Sequence, residues 1–371
     1  MLNLAGWQSG YAAACKAVYA GSIPASASMV SCMFNKKSIL ITGGTGSFGK
    51  RFLSRLLEEK KLPKKIIIFS RDELKQHELK LQYPQDQFPM IRFFIGDVRD
   101  KDRLSQACEG VDIIIHAAAL KQVDTAEYNP SEFIKTNVIG AENVIFASLK
   151  NNVSDVVALS TDKACSPINL YGASKLMSDK LFTAANNTVG ARGMKFSVVR
   201  YGNVLGSRGS VIPFFLANRS LGELPVTNIN MTRFNISLDD GINMVFFALK
   251  NHLGGEIFVP KIPSYKISDV VEAVAPKASI KIIGIRPGEK LHEEMISDSD
   301  SYNTIDIGKY YAILPSVSLK LSNEEYKEHY GGNFVDEGFK YNSELNTKWE
   351  TPESLREQIK LHIDPNFEIL K

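Results

Sequence analysis

Residues 38–49 read SILITGGTGSFG, an apolar and β-branched run that leads directly into a glycine-rich turn. The glycines at 43, 46 and 49 give the spacing G-x-x-G-x-x-G, which allows a tight turn and a close approach of the backbone to a pyrophosphate at a helix N-terminus. A glycine pattern alone is weak evidence, but the strand–turn–helix context is the one that dinucleotide binding requires. The stretch therefore predicts a dinucleotide site that includes Gly43, Thr45, Gly46, Ser47, Phe48 and Gly49.

Beyond this turn, short apolar runs alternate with longer amphipathic segments. This alternation predicts the α/β class, with a Rossmann-type doubly wound parallel sheet that is buried on both faces. The predicted strands are Ser38–Thr42, Lys65–Ser70, Ile91–Gly96, Asp112–His116, Val156–Ser160 and Phe196–Arg200. The predicted helices lie near Lys50–Lys60, Asp102–Cys108, Pro130–Lys150 and Asn169–Asn187.

The rhythm changes after Gly202, where glycine, proline and short elements become frequent. We therefore expect residues 33–201 to form the cofactor-binding core and residues 202–371 to be mainly a smaller substrate-binding lobe with a C-terminal tail. Trp349 and the segment Pro352–Ile363 indicate a docked final helix. Residues 1–32 carry one charge, Lys16, and lack the layout of a secretory signal, so we interpret them as a disordered tail or a start placed before the true Met33.

Composition excludes several classes of function. The net charge of +3 on 371 residues is too small to indicate nucleic-acid binding. The longest apolar runs, such as Ile113–Leu120, are far shorter than the ~20 residues that cross a bilayer. The four cysteines have no CxxC or metal-like spacing, which favours reduced thiols in the cytoplasm and predicts no metal site.

A candidate catalytic set follows at Ser160-Thr161-Asp162-Lys163 and Tyr171-Gly172-Ala173-Ser174-Lys175. Tyr-x-x-x-Lys places two side chains one helical turn apart. A lysine ammonium favours the ionised form of a nearby phenol, so Tyr171, with Lys175 and the hydroxyl of Thr161, is expected to act as a base on an alcohol while a nicotinamide accepts the hydride. Asp162 and Lys163 add an acid and a base, which are the groups needed to remove water from an oxidised sugar.

The end of the second predicted strand indicates which dinucleotide binds. An NAD site usually has an acidic residue about 20 residues past the glycines, whereas this position reads Ser70-Arg71, with Lys75 one turn later. A hydroxyl and two cations suit a 2′-phosphate and favour NADP, while Asp72 and Glu73 leave NAD open. We expect further cofactor contacts from Asp97, Val98 and Ala117, and a packed, hydrogen-bonded role for His116.

These residues together resemble the extended short-chain dehydrogenase/reductase superfamily from about Ser38 to Met295. Within it, the chain resembles the inverting UDP-N-acetylglucosamine 4,6-dehydratases that begin pseudaminic acid synthesis. The matching segments are Ile41–Gly49, Phe69–Gln76, Phe93–Asp100, His116–Lys121, Ser160–Ala164, Pro167–Lys175, Val198–Ser210, Met231–Phe234 and Gly284–Glu293. The resemblance implies that Asp162, Lys163 and Tyr171 are catalytic, with Lys175 assisting.

The resemblance also implies the substrate site. Lys121 and Asn203 match family positions that contact the sugar and the cofactor. Val204 matches a family position at the cofactor. The planar guanidinium of arginine suits the diphosphate of a UDP-sugar, which favours Arg208, Arg233 and Arg286. The full set of substrate candidates is Lys121, Asn203, Arg208, Thr227, Arg233, Arg286 and Glu289.

Related groups differ at the same positions. The epimerases lack the Asp-Lys pair, the dTDP-glucose dehydratases have Asp-Glu there, and the C5-retaining dehydratases typically carry Met where Tyr171 stands. We therefore expect a C5-inverting enzyme that acts on UDP-N-acetylglucosamine, binds NADP tightly and regenerates it, and forms a homo-oligomer. A UDP-sugar 4-epimerase, a retaining dehydratase and a non-catalytic NADP-sensing protein are the alternatives.

The expected chemistry gives each group one role. Tyr171 takes the C4 hydroxyl proton, Lys163 removes the C5 proton, and Asp162 protonates the departing C6 hydroxyl. Because Lys163 must be neutral to act, we expect the positive charges of Lys175 and the nicotinamide to lower its pKa.

Overall fold

The computed structural model describes residues 33–59, 62–207 and 209–369. Three sequence predictions fall outside these ranges: the extension 1–32, the predicted end of the first helix at Lys60, and the substrate candidate Arg208.

A parallel sheet forms the centre of the molecule. Its strands are β1 (Ser38–Thr42), β2 (Lys65–Ser70), β3 (Ile91–Ile95), β4 (Ile113–His116), β5 (Asp155–Thr161), β6 (Lys195–Tyr201) and β10 (Ile257–Pro260). They lie in the order β3-β2-β1-β4-β5-β6-β10, and every adjacent pair is parallel. The order 3-2-1-4-5-6 is that of a doubly wound dinucleotide-binding sheet, so the predicted fold class is confirmed. The predicted strand ends agree to within one residue.

Helices connect these strands. They are α1 (Ser47–Leu57), α2 (Glu73–Gln82), α3 (Lys101–Ala107), α4 (Val123–Tyr128), α5 (Pro130–Phe133), α6 (Gly140–Asn151) and α7 (Leu170–Ala185). A π-helical segment, Ile134–Ile139, joins α5 to α6 within the single helix predicted there. The sequence prediction did not include α2, because it is largely polar and its Leu74 and Leu81 are exposed, which leaves little apolar periodicity to read.

The second half of the chain contributes both to this sheet and to a separate lobe. The lobe and its connections contain β7 (Asn203–Val204), α8 (Val211–Asn218), β8 (Glu223–Val226), β9 (Thr232–Ile236), α9 (Leu238–Asn251), β11 (Ser264–Lys266), α10 (Ile267–Val274), β12 (Ser279–Ile282), β13 (Glu294–Ile296), α11 (Asp298–Ser301), α12 (Asn323–Tyr330), β17 (Tyr341–Asn342) and α13 (Pro352–His362). Antiparallel strands β15 (Tyr310–Ile313), β14 (Thr304–Asp306) and β16 (Asn333–Phe334) extend the sheet beyond β10.

The predicted division at residue 202 therefore does not coincide with an edge of the sheet, because β10 pairs with β6. The assignment of substrate binding to residues 202–371 stays a prediction. The lobe has an apolar core of its own, in which Leu224 and Val270 pack with Leu355 and Ile359 of α13. Both α13 residues are fully buried, and the predicted docking of the final helix is confirmed. Within the described ranges, no helix is long and apolar enough to cross a membrane.

Candidate active site

The turn between β1 and α1 has the shape of a phosphate cradle. Gly43 has a φ of +66°, and a Cβ at this position would lie 2.9 Å from the Cα of Ala118 at the end of β4. A Cβ on Gly49 would collide with the backbone of Gly44. Only glycine fits these two positions, and the chain reverses so tightly that the N–H of Gly46 donates to the carbonyl of Gly43 at 2.9 Å. Gly46 is also the N-cap of α1, so Ser47 and Phe48 open that helix towards the cradle.

The proposed 2′-phosphate corner forms where β2 ends. The hydroxyls of Thr45 and Ser70 share a hydrogen bond of 2.7 Å, which joins the cradle to this corner. Asp72, the acid nearest to the NAD-type position, caps α2 by accepting from the N–H of Lys75 at 3.0 Å, and its carboxylate also pairs with the Lys75 ammonium. While Asp72 is engaged in this way, Arg71 places a half-exposed cation at the corner.

The expected adenine edge lies beside this corner. The carboxylate of Asp97 pairs with Arg99 at 2.7 Å and with Arg71 at 3.6 Å. Burial tends to raise the pKa of Asp97, but the hydrogen bonds and charge of Arg99 hold it below its ordinary value. Val98 is buried against Gly140 at the start of α6.

His116 ends β4 and does not face the reaction. Its Nδ1 shares a hydrogen bond of 2.8 Å with the hydroxyl of Thr42, which also accepts from the N–H of Ala117 at 3.2 Å. Burial, followed by the charge of Lys175, lowers the pKa of His116 to about 3. The prediction of a packed, hydrogen-bonded histidine is confirmed.

The predicted catalytic residues meet at the end of β5. Thr161 ends the strand, a 3₁₀ turn holds Asp162 and Lys163, and Tyr171 opens α7. The N-terminus of α7 lies directly on the 3₁₀ turn, because Gly172 has no side chain and a Cβ there would collide with the carbonyl oxygen of Lys163. This close contact brings Tyr171 beside the acid–base pair.

Four charged side chains form a buried cluster behind this contact. The Lys163 Nζ lies 3.1 Å from Oδ1 of Asp162 and 3.2 Å from Oε1 of Glu293, and the Nε of Arg233 lies 3.7 Å from the same Glu293 oxygen. Thr161 donates its hydroxyl to Oδ1 of Asp162 at 2.8 Å. The carboxylates of Asp162 and Glu293 are 1% and 2% exposed, so their charges act at low dielectric.

The expected charge state of Lys163 is wrong for this structure. Burial favours the neutral amine, but the carboxylates of Asp162 and Glu293 outweigh it and raise the pKa of Lys163. The expectation left out the negative charge of the adjacent Asp162, and Glu293 lies far away in sequence and was not among the candidate residues. Its only signal was its place at the end of the matching segment Gly284–Glu293, which gave no indication of a contact with Lys163.

The expected effect of Lys175 on Tyr171 also needs correction. Burial raises the pKa of Tyr171 to about 12, and the opposing influences are the charge of Lys163 and a side-chain hydrogen bond with Thr161. The Nζ of Lys175 donates to the carbonyl of Leu159 at 2.8 Å. Burial lowers the pKa of Lys175, while the charge of Asp179, one turn further along α7, opposes this. Lys163 is therefore the cation that favours the phenolate.

The remaining substrate candidates surround this centre on several elements. Lys121 is solvent-accessible, yet enough protein surrounds its ammonium that desolvation, together with the charge of Lys163, lowers its pKa. Asn203 lies on β7, and its buried Oδ1 has no hydrogen-bond partner among the described residues. The hydroxyl of Thr227 contacts the sulfur of Met231 at 3.2 Å. Val204 follows Asn203 and pairs with Ile236.

Two arginine candidates have different surroundings. Arg233 is buried and donates to the carbonyls of Thr232 and Leu291, in addition to its pair with Glu293. Arg286 is half-exposed, 3.7 Å from Glu289, in a loop that the Asn169 side chain ties to α7 through the carbonyl of Gly288.

Comparison with known proteins shows the family. The family model described as polysaccharide biosynthesis protein matches residues 39–315. The chain belongs to this family. An inverting UDP-N-acetylglucosamine 4,6-dehydratase of Campylobacter jejuni serotype O:2 is 55% identical over 332 residues, which cover 88% of this chain and 98% of that protein. The predicted family resemblance is confirmed.

Other relatives carry different names. A UDP-glucose 4-epimerase of Rickettsia canadensis is 45% identical over 79% of this chain and 87% of that protein. The X-ray structure of Pen from Bacillus thuringiensis superposes with a TM-score of 0.78 at 36% identity, covering 88% of this chain and 98% of that one. DesIV, a dTDP-glucose 4,6-dehydratase of Streptomyces venezuelae, has a TM-score of 0.58 at 24% identity over 68% of this chain and 86% of that one, which supports the fold alone.

Proposed function

We propose that this protein is a UDP-N-acetylglucosamine 4,6-dehydratase that inverts C5. Its product would be UDP-2-acetamido-2,6-dideoxy-β-L-arabino-hex-4-ulose, made in the first step of pseudaminic acid biosynthesis. The observation that carries the proposal is the hydrogen-bonded Asp162–Lys163 pair beside Tyr171. An alcohol oxidation or a 4-epimerisation needs only the tyrosine, whereas an elimination needs an acid and a base in addition. The name of the Campylobacter relative supports the same reaction.

The cradle fits a nicotinamide dinucleotide, because Gly43 and Gly49 let the turn close tightly against the backbone of Ala118 and Gly44, at a helix N-terminus that suits a pyrophosphate. Thr45, Ser47 and the N-terminus of α1 would hold that group. The chemistry that a bound NADP⁺ would supply is reversible hydride transfer, from C4 of the sugar and back to C6. We infer NADP rather than NAD because Asp72 is engaged as a helix cap and the half-exposed Arg71, which lies 3.6 Å from Asp97, is a cation at the ribose corner.

The chain's own residues would move the protons. Tyr171 accepts the proton of the C4 hydroxyl, and the ketone formed at C4 then acidifies the C5 hydrogen. Lys163 takes that hydrogen as a proton once its nitrogen is neutral. Asp162 delivers a proton to the departing C6 hydroxyl, a role that suits it because burial, followed by the negative charge of Glu293, raises its pKa despite the opposing charge of Lys163.

The substrate's diphosphate would bind between the loop of Arg286 and the lobe, with Asn203 at the sugar. Arg208 is a further candidate for this role. We also expect the enzyme to work in the cytoplasm as a homo-oligomer and to supply a sugar for flagellin or polysaccharide glycosylation.

The test is one incubation of the full chain with UDP-N-acetylglucosamine and NADP⁺ in D₂O. We expect loss of one water by mass spectrometry, one solvent deuterium at C5, the former C4 hydrogen at C6, and the L-arabino configuration by NMR. An unchanged mass with epimerised C4 would instead support a 4-epimerase. Direct formation of the D-xylo isomer would assign the chain to the retaining group.

A further inference from the structure

Glu293 occupies a position in the acid–base centre that the proposed roles leave unused. Its backbone is fixed by Ser343, whose hydroxyl accepts from the N–H of Glu293 at 2.9 Å and whose N–H donates to its carbonyl at 2.8 Å. One oxygen of Asp162 and one of Glu293 bond to the Lys163 ammonium, at 3.1 and 3.2 Å.

The two carboxylates have unequal surroundings. Glu293 faces Arg233 at 3.7 Å in addition to Lys163. Burial works against its ionisation, but Lys163, Arg233 and Lys290 together lower its pKa. Asp162 has Lys163 as its cation, and the charge of Glu293 acts against its ionisation. Of two interacting carboxyls, the one with fewer cations takes the proton first.

We propose that Glu293 is a positioning residue for the elimination: it stays ionised, holds the nitrogen of Lys163 against Asp162, and leaves Asp162 as the carboxyl that accepts the lysine proton. This inference rests on the proposed dehydratase function. It accounts for how an ammonium paired with two carboxylates can become a base without losing a proton to solvent.

The proton step balances within the pair. An N–H bond of Lys163 breaks and an O–H bond forms on Asp162 across their 3.1 Å contact, which leaves a neutral amine and a neutral carboxylic acid. The amine then takes the C5 proton and becomes an ammonium again. The carboxylic acid gives its proton to the C6 hydroxyl, which leaves as water, and becomes a carboxylate again. Both groups end this step as they began it.

The experiment compares the pH dependence of kcat/KM for the full chain and Glu293→Gln with UDP-N-acetylglucosamine. Loss of one negative charge lowers the proton affinity of both Asp162 and Lys163, so we expect both limbs of the profile to move to lower pH by about one unit. The other titratable and charged groups around the cluster are Arg233, Lys290, Lys121, Tyr171 and Tyr265. We expect kcat to fall with little change in KM.

Two variants separate this role from general damage. Glu293→Asp keeps the charge and should return both limbs towards those of the unaltered protein. Glu294→Gln is the matched control, because the side chain of Glu294 accepts from the hydroxyl of Ser166 at 2.8 Å and should leave the profile in place. A slower Glu293→Gln enzyme with unmoved limbs, or an equal shift in Glu294→Gln, would overturn the inference.

A second readout does not depend on the reaction. In urea unfolding, Glu293→Gln and Lys163→Met should each lower the midpoint, and the double variant should lose less than the sum, because each single variant removes the same Lys163–Glu293 ion pair. Additive losses would refute the role of Glu293. If the unaltered protein releases no water from UDP-N-acetylglucosamine, the proposed function fails, and this cycle still decides whether Glu293 holds Lys163.

Discussion

The glycine turn at residues 43–49 and the acid–base centre around Lys163 both lie at the carboxyl edge of the parallel sheet, but they are constructed differently. The turn is formed by neighbouring residues, and its shape depends on the missing side chains of Gly43 and Gly49. The centre combines Asp162 and Lys163 with Glu293, which lies 130 residues later in the chain, immediately before β13. The shape of the glycine turn therefore depends on local backbone geometry. The charge state of the acid–base centre depends on every charged side chain that packs against it.

The largest expected effect comes from making Lys163 permanently charged. Lys163→Arg can keep both ion pairs, but a guanidinium does not lose its proton near neutral pH. We expect formation of the 6-deoxy product to fall by about 10²- to 10⁴-fold, as for loss of a general base, while the protein stays folded. NMR of the product in D₂O measures both the rate and C5 exchange. Lys180→Arg, on the exposed face of α7, is the control, and full activity in Lys163→Arg would show that the lysine is not the base.

The next effect tests how closely the two catalytic segments must pack. A methyl group in Gly172→Ala would collide with the carbonyl of Lys163 and move Tyr171 away from the acid–base pair. We expect kcat to fall by about 10²-fold, the cost of misplacing reacting groups by about 1 Å. Gly241→Ala in α9 is the matched control, since its Cβ would lie 3.8 Å from the Tyr201 ring, an ordinary contact. Equal kinetics for the two variants would contradict this account.

A smaller effect is expected where β2 ends, at the proposed 2′-phosphate corner, because the guanidinium of Arg71 there is half-exposed. Arg71→Asp should weaken NADP⁺ relative to NAD⁺ by about 1 kcal/mol, or roughly fivefold in the ratio of Kd values, because solvent screens the pair. Calorimetric titration with both dinucleotides measures this ratio. Lys80→Asp, at an exposed position in the last turn of α2, should leave it unchanged, and an equal loss for both dinucleotides would argue against a 2′-phosphate site.

The smallest effect should follow removal of residues 1–32. A chain that begins at Met33 keeps the whole glycine turn and the whole acid–base centre, so its melting temperature and turnover should match those of the full chain. Differential scanning calorimetry and the dehydration assay check this. A clear loss in either would show that the N-terminal residues take part in folding or catalysis.

Much of the molecule could be read from its sequence. The apolar β-branched runs determined the parallel strands from Ser38 to Arg200, and the glycines at 43 and 49 determined the cradle, because strand periodicity and backbone turns depend on adjacent residues. The spacing of Tyr171 and Lys175 likewise placed both on one face of α7. The polar helix α2 and the short strands β14 and β16 could not be predicted, since none of the three carries enough apolar periodicity.

Only the tertiary structure decided the protonation of the catalytic groups. Sequence proximity paired Tyr171 with Lys175, but in the fold Lys175 donates to Leu159 and Lys163 supplies the charge that favours the phenolate. The sequence likewise suggested a neutral Lys163, whereas the carboxylates of Asp162 and the distant Glu293 together raise its pKa. The reason is physical: a pKa depends on desolvation and on distances through space, and these exist only after residues far apart along the chain have packed together.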